Sequence, residues 1–266
     1  MADPHVSRPG FREWVDRQPD PGWPLMPLTH VTRGVAAEDI IRAGRVEPQY
    51  SSEFDEKLSY FFYGRPTYRL TDDQATKIEA ACPYCFVFSS ELFDSATRII
   101  PFDSGAFSKR LYSGLAIDDM SPIDFSLPVD RERPNKIVAA VFSSLGKYLD
   151  GDSSALVPEL AAEPWEFHAR AFLHLLASPG RNEPDDRISA IEVVFDSPVP
   201  LRGNLKALIL PHTLWDSKAN APWLRALHES GVQISPYLFV PGRHPDYYQA
   251  LVDAAVRDLY RGWGIL

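Results

Sequence analysis

Two charged side chains stand in runs that otherwise read as buried β-strands: Arg65, which closes Leu58 to Arg65 (LSYFFYGR), and Glu192, within Arg187 to Phe195 (RISAIEVVF). An arginine fork can hold an anion through paired, charge-assisted hydrogen bonds. A carboxylate can stabilise developing positive charge and take a proton from an incoming nucleophile. Drawing either charge out of water costs on the order of several kcal/mol, so each must be paired or face a cleft. Period-two alternation puts Ile188, Ala190, Glu192 and Val194 on one strand face and Ser189, Ile191, Val193 and Phe195 on the other. Glu192 is therefore flanked on its own face by small or apolar neighbours. Two readings follow from these residues alone. One is a strand-end salt bridge between the two, or from Glu192 to Arg187; the other is a catalytic role.

The remaining chemistry-bearing residues are fewer. Cys82 and Cys85, in ACPYCFVF, have the spacing of a redox pair. Such a pair belongs at a strand-to-helix turn, whereas Cys85 runs straight into strand-like residues. Two thiols with no nearby histidine do not make a structural zinc site, so both read as small semi-buried side chains and no metal is expected. His168 and His174 lie on an expected helix and read as structural or surface groups. Asp185-Asp186 reads as a solvated turn. A net charge of -9 excludes a surface that is basic overall, so any nucleic-acid contact must come from a local patch. No stretch has the apolar length of a spanning helix and the start, MADPHVSRPGFREW, lacks a signal pattern, so a cytoplasmic protein without membrane contact is expected.

These residues need a scaffold, and the pattern supplies one. Residues 1–27, rich in Pro and Gly, read as an arm. From Leu28 the pattern predicts a strand (LTHV), then a helix over AAEDIIRAG capped by Gly44, then the strand LSYFFY. A helix at Asp72 to Ala81 and a strand at Cys85 to Ser89 follow. Asp118 to Pro134, dense in Asp and Pro, reads as a surface loop. Helices are predicted at Lys136 to Leu149 and at Glu163 to Leu176, the second apolar at Trp165 and Phe167 among others. After SPGRNEPDD come the Glu192 strand, the strand LKALILP, a helix near Ala221 to Ser230, the strand VQISPYLFV and a closing helix at Asp246 to Tyr260. Neither G-x-G-x-x-G nor a P-loop is present. The fold class is α+β, with 28–266 as one domain.

In chain order the signals are THVT at 29 to 32, the helix ending IIRAG, YFFYGRP, the turn PFDSGAF, and a polar loop followed by AIEVVF. That order, over roughly residues 28 to 240, resembles the ADP-ribosyltransferases, and most of all the DarT-type DNA ADP-ribosyltransferase toxins. The Tyr63-Gly64 spacer before the arginine departs from the common family pattern. The resemblance implies an ADP-ribosyltransferase-like mixed sheet and NAD as co-substrate. It matches His30 to the histidine that binds the adenosine ribose and Thr32 to its hydroxyl partner, Arg65 to the arginine needed for activity, and Glu192 to the catalytic glutamate. A histidine and threonine two apart on a strand share a face and can grip a ribose together. Tyr68 is the choice for stacking on the nicotinamide. The loop Ser178 to Asp186 stands where the family recognises its acceptor, and the flanking Arg181 and Arg187 would contact an anionic one. The implied acceptor is nucleic acid; protein, water in an NAD hydrolase, and a silent NAD-binding or partner-binding module are the alternatives. An antitoxin or macrodomain partner that restrains the activity is also implied by the resemblance.

Overall fold

The computed structural model describes residues 9–67, 75–109, 119–177, 186–215 and 222–266. In chain order its helices are α1 (Pro9–Arg17), α2 (Gly34–Ala43), α3 (Ser104–Ser108), α4 (Arg133–Phe142), α5 (Leu145–Asp150), α6 (Pro158–Ala161), α7 (Phe167–Ala177), α8 (Pro222–Glu229) and α9 (Pro245–Gly262). The strands are β1 (Leu28–Arg33), β2 (Arg45–Val46), β3 (Gln49–Ser51), β4 (Glu56–Tyr63), β5 (Pro83–Phe88), β6 (Arg98–Ile100), β7 (Leu127–Pro128), β8 (Glu192–Phe195), β9 (Val199–Pro200), β10 (Leu205–Pro211) and β11 (Gln233–Tyr237). The class is α+β. The chain divides into two compact units, the first made of Met1–Leu25, Gln49–Tyr63 and Phe93–Asp196, the second of Met26–Pro48, Gly64–Leu92 and Ser197–Leu266.

In the first unit β3, β4, β8, β6 and β7 pair successively, each antiparallel to the next. Helix α1 packs on α7 and α4, and it buries Phe11, Trp14 and Val15 within the stretch that reads as an arm in the sequence. Phe11 meets Phe125 and Phe172 edge-on at 5.3 and 5.4 Å, a favoured aromatic geometry. Residues 118–134 are not a surface loop where they are described: Phe125 and Leu127 are fully buried and β7 pairs with β6. The single helix expected over Lys136 to Leu149 is two. Ser143 adopts a left-handed φ of 64° that ends α4, and the Ser144 side chain accepts from the Lys147 amide to start α5. Helix α7 begins only at Phe167, and Trp165 and Phe167, expected on the apolar face, are exposed.

In the second unit β1 pairs antiparallel with β5, β5 antiparallel with β10, and β10 parallel with β11. The parallel pair is joined through α8, the crossover such a pair requires. Every residue of β5 is buried, and α9 covers β5, β10 and β11. Gly44 caps α2 as the sequence predicts, with φ of 68° and its amide bonded to the Ile40 and Ile41 carbonyls. Of the helix expected at Asp72 to Ala81, residues 72–74 lie outside the described residues, and the rest contains only the short 3-10 turn Glu79–Ala81. Among the described residues no helix is long and apolar enough to cross a membrane.

Candidate functional site

In the first unit Glu192 opens β8, with Phe62 of β4 opposite it on one side and Ile100 of β6 on the other. Directly paired residues project to the same face, so Tyr60, Phe62, Glu192 and Val194 share one side. Phe61, Val193 and Ile99 share the other, where all three are fully buried. Tyr60 and Phe62 are only half-buried, so this face is partly open at β4, while Glu192, Val194 and Ile100 on it are buried. Tyr148 fixes the entry to this strand. Its hydroxyl donates to the Tyr63 carbonyl at 2.8 Å and accepts from the Ile191 amide at 3.1 Å, while the Tyr63 amide donates to the Ile191 carbonyl at 2.9 Å.

Glu192 is 3% exposed, and its Oε2 has no hydrogen-bond partner among the described residues. Burial drives its pKa well above the ordinary carboxyl value, and the nearby Asp103 and Glu53 carboxylates add to that; the Ser104 hydroxyl and amide oppose it. Ser104 is thus close enough to favour the charged form, yet neither its Oγ nor Glu192 Oε2 completes a hydrogen bond among the described residues. No cation stands among the main causes of the shift. Arg98, on the same sheet face, pairs with Glu56 at 2.7 Å and lies over the Phe54 ring. Glu192 is therefore a neutral carboxylic acid in the free protein over a range where an ordinary glutamate is ionised.

Glu53 has the opposite character. Burial alone would raise its pKa, but the Ser51 hydroxyl, its own backbone amide, the Lys109 ammonium and the Ser52 hydroxyl together hold it below the usual value. Ser51 Oγ donates to Glu53 Oε2 at 2.8 Å and lies 2.6 Å from the Tyr60 hydroxyl. A serine has one hydroxyl proton, and with that proton on Glu53 the Tyr60 O–H must be the donor to Ser51. Burial, Glu192 and Glu53 all raise the Tyr60 pKa, so it stays a phenol. Two neighbouring carboxyls pushed apart in pKa are the arrangement that separates acid from base roles.

In the second unit His30 and Thr32 lie half-buried on one face of β1 while Thr29 and Val31 are buried on the other. The Thr29 hydroxyl donates to the Arg65 carbonyl at 2.9 Å, which brings Arg65, 6% exposed, beside this strand. The spacer Gly64 has a structural reason. It adopts φ of 67°, its carbonyl accepts from Tyr260, and a Cβ there would lie 2.5 Å from the Met26 sulfur.

Of the other expected site residues, Tyr68, Arg181 and residues 178–185 of the acceptor loop lie outside the described residues. Arg187 falls in the 3-10 turn Asp186–Ser189, its side chain outside those described. That turn also replaces the start of the expected strand, so Ile188 does not continue the Glu192 face. Both cysteines are buried; burial pushes the Cys82 thiol up to about 11 and the Cys85 thiol well above its usual value. The sequence reading omits Tyr60, Ser51, Glu53, Asp103 and Ser104. Tyr60 could have been found from its period-two relation to Phe62; Ser51 and Glu53 depend on the β3–β4 register. No known family model matches this chain, and neither a curated protein nor a solved structure matches it.

Proposed function

We propose that this protein transfers ADP-ribose from NAD to a macromolecular acceptor, nucleic acid by preference, with Glu192 as the catalytic carboxyl. One observation carries the reading: a carboxyl buried on a half-open aromatic face, with one oxygen lacking a hydrogen-bond donor among the described residues and no cation among the main influences on its charge. A buried acceptor atom left unsatisfied costs about 1–3 kcal/mol, which a ligand hydroxyl would recover. NAD supplies the N-glycosidic bond and, with it, a ring cation. Beside that cation the neutral Glu192 becomes easier to ionise; it loses its proton to solvent as NAD binds, and its carboxylate then opposes the positive charge that develops on the ribose. His30 and Thr32, which share one half-buried face of β1, are assigned to the ribose and Arg65 to an anionic group on the resemblance. Tyr68 is assigned to the nicotinamide, and Arg181 and Arg187 to the acceptor, on the resemblance alone.

The test uses NAD labelled in the adenylate phosphate, offered with separate pools of DNA, RNA and cell protein. Label on DNA or RNA is the expected result. Label only on protein overturns the acceptor assignment, and nicotinamide release with no labelled pool replaces transfer by hydrolysis.

A further inference from the structure

We propose that Tyr60, Ser51 and Glu53 form a proton exit from the Glu192 face to solvent, with Tyr60 taking the acceptor's proton and Glu53 as the terminal base. The inference rests on the transferase reading and goes beyond it, because nothing in that reading calls on these three residues. The path is short and directional. Tyr60 shares the open face with Glu192 and donates to Ser51 at 2.6 Å; Ser51 donates to Glu53 at 2.8 Å. Glu53 is half-buried and so reaches water more readily than Glu192, which is 3% exposed.

The balance closes on these groups. As the acceptor's X–H adds to the ribose carbon, the nicotinamide leaves with the electron pair of the old bond, and the X–H proton moves to Tyr60 Oη. Tyr60 passes its own proton to Ser51, Ser51 passes its own to Glu53, and the Glu53 carboxyl ends neutral. One cation and one carboxylate are consumed, and neutral nicotinamide and a neutral acid are formed. Glu192 is not free to take this role: in the NAD complex its carboxylate is held against the ribose cation, which lowers its affinity for a proton. Glu53 can, because the Ser51 and Ser52 hydroxyls, its own amide and Lys109 keep it ionised. Among the described residues, the Lys109 ammonium acts on Glu53, Glu192 and Glu53 act on Tyr60, and Asp103 acts on Glu192.

The test has an arm without substrate and an arm with it. Carbon-detected NMR of side-chain carboxyls follows Glu53 in the free protein: Tyr60→Phe and Ser51→Ala should each move its titration upward, because the hydroxyl chain polarises toward its carboxylate. An unmoved Glu53 in Tyr60→Phe refutes a connected chain. With NAD and acceptor, Tyr60→Phe and Glu53→Gln should each lower kcat about 10²-fold at pH 7 with KM for NAD unchanged, and recover as the pH rises and hydroxide replaces the relay. The double variant should be no slower than the slower single one. Additive losses, or losses that do not depend on pH, refute the relay. Glu53→Gln keeps the acceptor for Ser51, so it remains informative if Tyr60→Phe folds poorly. Wild-type protein that releases no nicotinamide refutes the transferase and the relay with it; wild-type turnover with both single variants within threefold refutes the relay alone.

Discussion

Replacing Glu192 with Gln separates its charge from its shape, and the consequence for stability follows from its burial. The side chain keeps its volume and the polar end resembles a protonated carboxyl. Well below pH 4.5, the ordinary carboxyl value, the wild type carries the same neutral group folded or unfolded, so the two proteins should be about equally stable. Above that, the unfolded wild type loses the proton while the folded one keeps it. Folding then binds a proton, and stability falls as the pH rises through the window between the ordinary value and the raised folded value. The Gln variant has no such proton. Its stability relative to wild type should therefore grow by about 1.4 kcal/mol for each pH unit in that window. For a protein of this size that is roughly 3–6 °C in Tm per unit. Thermal melts of both proteins from pH 4 to pH 8, read as the difference in Tm, measure it directly. Parallel curves for wild type and Glu192→Gln would show that Glu192 is ionised in the folded protein, and would refute the argument that burial keeps it neutral.

Three further outcomes are expected. Tyr148→Phe leaves the buried Tyr63 carbonyl and Ile191 amide without their shared partner, which should destabilise by about 1–3 kcal/mol in urea unfolding; a loss under about 0.5 kcal/mol would mean the hydroxyl does not pin the β8 entry. Gly64→Ala combines a left-handed φ with a clash on Met26 and should cost about 2 kcal/mol or more by the same assay, so a stable alanine variant would contradict the geometry of the turn. Cys82 and Cys85 should react with a thiol reagent at pH 8 only after denaturation, because the thiolate is suppressed by burial at both positions; rapid labelling of the folded chain would reopen a redox role.

What the sequence made legible is what local pattern controls. Gly44 marks the end of α2 because only a residue tolerant of positive φ fits there. The apolar runs that became β4, β5, β8 and β10 announce themselves by composition, and Glu192 stands out as the charge within β8. The errors arose where tertiary packing overrode local signals. Asp118 to Pro134 has the composition of a loop, yet Phe125 and Leu127 are drawn into the aromatic cluster around Phe11 and Phe172. A helical pattern runs through Ser143, and the break there comes from a backbone conformation that no periodicity encodes. The partners of Glu192 were hidden for a related reason. Asp103 and Ser104 reach it from the N-terminal end of α3, and Glu53 from the β3–β4 hairpin, so their proximity is a product of tertiary packing and strand register rather than of spacing.

Whether Glu192 carries chemistry on the glycosidic bond of NAD is read by release of free nicotinamide, whatever the acceptor. Purified wild-type protein and Glu192→Gln, matched for folding and for NAD affinity, are incubated with NAD and nicotinamide is quantified by chromatography. Release by the wild type and a loss of about 100-fold or more in the variant are expected. No release by the wild type, or a variant within tenfold of it, would contradict the assignment.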